Sequence, residues 1–250
     1  MKMNKYISIA ILIFIISGCT KDGGDKINIG NTGKGGSMAR FTIANNHLYV
    51  VDNTNLTAIN ISTPSNPTLS STEEVGFGIE TIFSRNNNLF LGAQTGMYIY
   101  DISTPTNPIQ ISYYTHITSC DPVVVEGDLA YVTLRTGGSC QTGFTEDQLD
   151  IIDISDLENP QSLTTHSLTT PYGLAIEDST LFVCQGDSGM VIYDAEDIYN
   201  LQEIEKYSIQ AYDVITNNGV LIVIGEDGLH QYNYTDLNNI TLISEILVGE

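Results

Sequence analysis

The chain has 250 residues, with 30 acidic against 9 basic side chains and a formal charge of −21 at pH 7. Such a mean field repels nucleic acid and anionic headgroups, which excludes both as partners for the body of the protein. Four cysteines without a Cys-x-x-Cys pair, four scattered histidines (His47, His116, His166, His230) and no Asp-rich loop of EF-hand spacing give no expectation of a metal or any other cofactor.

The first 18 residues place Lys2 and Lys5 ahead of an apolar run over residues 6–16, followed by the small residues Ser17 and Gly18. A charged start, a short apolar run and a small pair describe a secretory signal peptide, too short to span a bilayer comfortably. The ending "ISGC" resembles the lipobox of bacterial lipoproteins, which implies cleavage before Cys19 and acylation of its thiol. Two or three acyl chains hold a protein on a membrane stably. Thr20, in place of an aspartate, resembles the pattern of lipoproteins sent to the outer membrane. "KDGGD" (21–25) resembles the surface-export signals of Bacteroidetes lipoproteins. The expectation is a protein anchored in the bacterial outer membrane and exposed at the surface. Residues 19–37 hold six glycines and no apolar periodicity, so they read as a flexible tether.

Beyond the tether the sequence repeats. "LTAINIS" (56–62), "MYIYDIS" (97–103), "LDIIDIS" (149–155), "MVIYDA" (190–195) and "LHQYNYT" (229–235) are versions of one strand, each preceded by another strand and followed by a turn. Tyr49, Phe90, Tyr131, Phe182 and Ile222 mark equivalent positions, at steps of 41, 41, 51 and 40 residues. The units run over about 38–75, 76–116, 117–168, 169–209 and 210–250. Four short alternating runs per unit, separated by Gly, Asn or Pro turns, predict an all-β protein, a five-bladed β-propeller of four-stranded repeats. A β-sandwich would not repeat at this period, and the rungs of a β-helix are shorter. The first unit opens at its innermost strand and the last closes at its outermost, so no strand is lent across the ends. "KINIG" (26–30) is the one candidate for an added edge strand.

"LDIIDISDLENP" (149–160) and "MYIYDISTPTNP" (97–108) resemble the LVIVD repeat, a propeller-forming repeat of secreted and lipid-anchored bacterial proteins. The resemblance extends over residues 38–250 and is weakest in unit five, where "LHQYNYT" lacks the aspartate. It implies a fold and an envelope setting, and it brings no catalytic residue.

Ligands favour the concave mouth of a propeller, where the D-to-A connections and B-to-C turns meet. Aligned repeats place Glu80, Asp121, Tyr172 and Tyr212 at one mouth position, with Arg40 and Asp213 at the next, and these six form the candidate ligand face. An insertion, "RTGGSCQTGFTEDQ" (135–148), joins the same face. Its Cys140 and the nearby Cys120 fall at one end of one blade and form a candidate disulfide, with pairings through Cys184 as the alternative. Cys184, late in a strand, is expected to be a buried free thiol. "GDSG" (186–189) resembles the segment around the active serine of trypsin-like proteases. Its place in the repeat makes it a tight B-to-C turn, with no setting for a nucleophile. The leading functional expectation is a non-enzymatic binding or scaffolding module for a protein or glycan. The alternatives are a glycoside-active enzyme using Glu80, Asp121 and Asp213 as acid and base or nucleophile, against which the absence of tryptophan counts, and a purely structural envelope protein.

Overall fold

The computed structural model describes residues 35–116, 122–136 and 146–248. Blade one is built from β1 (Phe41–Ala44), β2 (His47–Val51), β3 (Asn55–Asn60) and β4 (Thr68–Glu74). Blade two follows with β5 (Ile79–Arg85), β6 (Asn88–Ala93), β7 (Gly96–Asp101) and β8 (Ile109–Thr115). Blade three holds β9 (Val123–Glu126), β10 (Leu129–Leu134), β11 (Gln148–Asp153) and β12 (Gln161–Ser167). Blade four holds β13 (Leu174–Glu177), β14 (Thr180–Cys184), β15 (Met190–Asp194) and β16 (Gln202–Tyr207). Blade five ends the chain with β17 (Asp213–Asn217), β18 (Val220–Ile224), β19 (Gly228–Asn233) and β20 (Thr241–Leu247). Each blade is a four-stranded antiparallel sheet in sequence order, and no strand is exchanged between blades. The five-bladed propeller expected from the repeat is the fold.

Local chemistry accounts for each blade. Asn45 and Asn46, Asp178 and Ser179, and Asn218 and Gly219 all have positive φ, so these A-to-B connections turn in the sense that matches strand twist. The repeated aspartate that ends the third strand is a turn residue. Asp101, Asp153 and Asp194 each accept the amide two residues on, at 2.7, 2.8 and 2.9 Å. Asn60 and Asn233 do the same at 2.8 and 2.9 Å, so unit five loses nothing by lacking the aspartate. A second turn closes behind each, as in the Asn107 amide donating to the Thr104 carbonyl at 2.9 Å. All five blades carry a register shift at the same place between third and fourth strands, which turns the outer strand away from the ladder.

The blades stack through four apolar cores. Tyr49, Val51 and Leu56 of blade one meet Ile82, Leu89 and Leu91 of blade two. Phe90, Met97 and Ile99 meet Val123, Val132 and Ile152. Tyr131, Leu149 and Ile151 meet Leu174, Leu181 and Val183. Phe182, Cys184 and Met190 meet Val214, Leu221 and Val223. Consecutive innermost strands lie side by side from β1 through β5, β9 and β13 to β17. Among the described residues, no apolar core joins blade five to blade one.

The link at that seam is polar. Residues 35–37 fall in the stretch that composition assigns to the tether, yet Ser37 is buried. Its hydroxyl donates to Asp213 at 3.0 Å and accepts the Leu174 amide at 2.8 Å, tying the start of blade one to blades four and five. Gly35 lines a cavity of about 20 Å³ with Phe83, Val124, Ala175 and Ile215 of the innermost strands of blades two to five.

Candidate functional site

Four of the six mouth residues separate into two groups with different work. Tyr172 and Tyr212 come together edge to face, with ring centroids 5.1 Å apart and planes at 78°. Their backbones are fixed from beneath. The Tyr172 amide donates to the Cys184 carbonyl at 2.8 Å, its carbonyl accepts the Thr133 hydroxyl at 2.8 Å, and the Tyr212 amide donates to Ile224 at 2.8 Å. Gly186, at φ 58°, lies under both rings, and a Cβ there would stand 2.8 Å from the Tyr172 ring and 3.2 Å from that of Tyr212. Only glycine suits that position on both counts.

Three residues outside the expected six complete this group. The Arg135 guanidinium stands 3.9 Å from the centroid of the Tyr172 ring, a cation–π contact. Asp187 accepts from the Tyr212 hydroxyl at 3.0 Å and from Gln210 Nε2 at 3.1 Å through one oxygen. The hydrogen bond to Asp187 raises the Tyr212 phenol above its ordinary pKa and keeps it a donor. "GDSG" is thus the B-to-C turn of blade four. Ser188 is exposed there with its amide on the Gln185 carbonyl at 3.0 Å, and the residue of the turn that reaches the tyrosine pair is Asp187, through its bond to the Tyr212 hydroxyl.

The two carboxylates of the six that fall among the described residues are both engaged by other groups of the chain. Glu80 accepts from Gln94 Nε2 at 3.2 Å. Asp213 is half-buried, with one oxygen on the Ser37 hydroxyl and the Val214 amide, both at 3.0 Å, and the other on the Met38 amide at 3.3 Å. Gly36 and Gly173 close over it, since a Cβ on either would fall 2.0 or 2.2 Å from a carboxylate oxygen. Burial pushes its pKa up to about 6, against the pull of those donors. Its geometry is that of a lock on the N-terminal segment. Arg40 is exposed at the entry to blade one, with its carbonyl accepting the Val51 amide at 2.9 Å.

Asp121, Cys120, Cys140 and most of the insertion lie outside the described residues, as does the candidate disulfide. The base of the insertion is held by Asp147, one oxygen of which accepts the Thr136 amide and hydroxyl at 2.7 Å each. Its other oxygen accepts the Thr170 amide at 2.7 Å. Cys184 is a buried free thiol, raised well above its ordinary pKa by burial and then by the Asp213 charge. Among the described residues no cluster of His, Cys, Asp and Glu could hold a metal ion.

Comparison with known proteins agrees with the fold. The family model of the LVIVD repeat matches residues 35–73, 87–116 and 142–165. The periplasmic gluconolactonase PpgL of Pseudomonas aeruginosa superposes with a TM-score of 0.63 at 14% identity, over 82% of this chain and 68% of that one. A Lactobacillus plantarum protein gives 0.62 at 13% identity over 81% and 68%. BamB of Moraxella catarrhalis gives 0.54 at 11% identity over 75% of this chain and 55% of its own. At these identities the likeness is one of fold. No curated protein matches the sequence.

Proposed function

From a chain that carries LVIVD repeats on a five-bladed β-propeller, we propose a non-enzymatic binding or scaffolding module of the bacterial envelope. In this reading an acylated Cys19 holds it to the outer membrane, and a protein or glycan partner docks at the mouth over blades three to five. The observation that carries the reading is the cluster of Arg135, Tyr172, Tyr212 and Asp187. Tyrosine and arginine supply large contact area at small ordering cost and dominate binding hot spots. Here the rings are already oriented, by Gly186 below and Asp187 beside, so little is lost in arranging them.

The acids favour binding over hydrolysis. A glycosidase needs one carboxyl group free to protonate the leaving oxygen and a second free to act as base or nucleophile. Glu80 is engaged by Gln94, and both oxygens of Asp213 face Ser37 and main-chain amides. PpgL is a gluconolactonase, and its likeness to this chain brings no residue of that chemistry across at 14% identity.

The test is binding to glycan and peptide arrays by the full chain and by the double variant Tyr172→Ala, Tyr212→Ala. The double variant is expected to lose affinity at least about tenfold, or ~1.4 kcal/mol, with its unfolding midpoint little changed. A double variant that binds and localises as the parent does would leave the structural reading in its place. Anchoring is checked separately, by incorporation of labelled palmitate and its loss in Cys19→Ser. Proteolysis of intact cells then reads surface exposure.

A further inference from the structure

On the face opposite the mouth, where the A-to-B turns and the ends of the third strands lie, the four packed seams are not closed alike. Three of them carry a tyrosine at one of two facing positions: Tyr49 with Ile102, Tyr131 with Ala195, and Tyr234 against Phe182. The seam between blades two and three has Phe90 and Ile154 at these positions. The last residue of the first strand differs as well. Glu126 crosses to blade four and accepts the Asp178 and Ser179 amides at 3.0 and 3.2 Å. Glu177 accepts from the Tyr234 hydroxyl of blade five. Blade two has Arg85 there, whose Nη1 donates to the Val125 carbonyl at 3.3 Å, its one hydrogen bond among the described residues. A cleft of about 140 Å³ opens at this seam, with the exposed Gly127 and half-buried Arg85 at its edge and the buried Phe90, Val125 and Ile154 beneath.

We propose that this cleft binds a small organic monocarboxylate, with Arg85 as its counter-charge, the Gly127 amide as donor to one oxygen, and Phe90 and Val125 under its carbon body. One seam further on, the fold already binds a carboxylate in this way. There the Glu126 side chain accepts the amide of Asp178, the first residue of the next A-to-B turn. Gly127 is the equivalent residue of blade three, at φ 57° against 50° for Asp178, and its amide has no partner among the described residues. Asp128 lacks the positive φ of Ser179, so the second amide of that pair is not carried over. The guanidinium stands in for it, as a planar fork of N–H donors that matches the two oxygens of a carboxylate. With arginine where the next two blades have glutamate, the chain brings no acid of its own to this seam. Asp128 is exposed at the same edge and forms no ion pair with Arg85 among the described residues. A second negative charge on the ligand would meet Asp128, which favours a monocarboxylate over a phosphate dianion. The net charge of the chain is screened beyond about 8 Å at physiological salt, so these near groups govern the affinity. Few polar groups converging over an apolar floor are the usual make-up of a small-molecule site, and the volume limits the acid to a few carbons. This inference does not depend on the mouth site, which lies on the other face.

The experiment is two-dimensional amide NMR on the isotope-labelled full chain in mild detergent. It follows the Gly127 resonance as propionate is added, with propionamide and inorganic phosphate as comparison probes. Propionate is expected to move that resonance along a saturating curve, and neither comparison probe should do so at equal concentration. Arg85→Glu sets a glutamate where Glu126 stands one seam on, so that the chain's own carboxylate meets the Gly127 amide. It is expected to weaken propionate binding at least about tenfold. Phe90→Tyr keeps the arginine and fills the cleft as Tyr49 does at the first seam, and the same loss is expected. Arg85→Gln takes the place of Arg85→Glu if that variant fails to fold. No shift with propionate up to about 50 mM, which would fill nine-tenths of a site with a Kd of ~5 mM, overturns the proposal. So does a shift that survives in both variants, which would place the acid elsewhere. An equal shift with propionamide would make the cleft merely apolar, and one with phosphate would make it a general anion site. Either overturns the assignment to a monocarboxylate.

Discussion

The boundary between blades four and five and the boundary between blades five and one present the same repeat positions in opposite states. At the first, Phe182, Cys184 and Met190 are sealed against Val214, Leu221 and Val223. At the second, Phe41, Ile224 and Ile246 face outward, and Ser37 reaches Asp213 through hydrogen bonds. A repeat guarantees that each blade has two apolar faces. It does not guarantee that the last blade meets the first.

The largest effect expected from that contrast is in core truncation. Phe182→Ala should cost about 3–5 kcal/mol of unfolding free energy, through lost burial and the cavity left behind. Ile222→Ala, at the equivalent but half-buried position in blade five, should cost the single chain under about 1.5 kcal/mol. Urea unfolding of both variants measures the difference. Equal costs would mean that blade five is as well packed as blade four.

A smaller effect separates the polar tie from the apolar cores. Asp213 holds its proton more tightly when folded, up to about 6, than in the unfolded chain, near 3.9. Below the unfolded value both states carry the proton. As pH rises through the window between about 4 and 6, the unfolded state gives it up first and stability falls, by at most ~2–3 kcal/mol. Unfolding midpoints across that range should show the decline, and Asp213→Asn should flatten it. Asp52, held down to about 2 chiefly by the Thr54 amide, acts in the opposite sense and at lower pH, where acid weakens the fold.

The smallest effect should be blind to the seam. Asp153→Ala removes the acceptor for the Ser155 amide and should lower the unfolding midpoint slightly, while Asp153→Asn, which keeps an acceptor, should leave it nearly unchanged. The asparagines at 60 and 233 already make that turn in the end blades. Thermal unfolding of the two variants is the check.

Legibility in the sequence followed the range of the interactions. The strands and their Gly, Asn or Pro turns act within a few residues, so the pattern of one unit exposes them, whereas the turn role of the repeated aspartate emerges from its hydrogen bonds. Tyr172 and Tyr212 were found by aligning units, because equivalent positions in a propeller converge on one mouth. Arg135 and Asp187 were missed as site residues, although their places in B-to-C turns put them on that face. Asp187 in particular was hidden by the likeness of "GDSG" to a protease segment. Asp213 was read as a mouth acid because alignment gives position and not direction. Its side chain turns inward to Ser37, which is 176 residues away in sequence.

The sequence alone determined the number of blades, their strand order and their turn chemistry, because periodic burial and local hydrogen bonds repeat every forty or so residues. Tertiary structure decided which carboxylate is spent on holding the chain, which tyrosines meet, and that among the described residues no apolar core joins blade five to blade one. Those outcomes depend on how five nearly equal units add up around an axis, a sum over the whole chain that no single repeat contains.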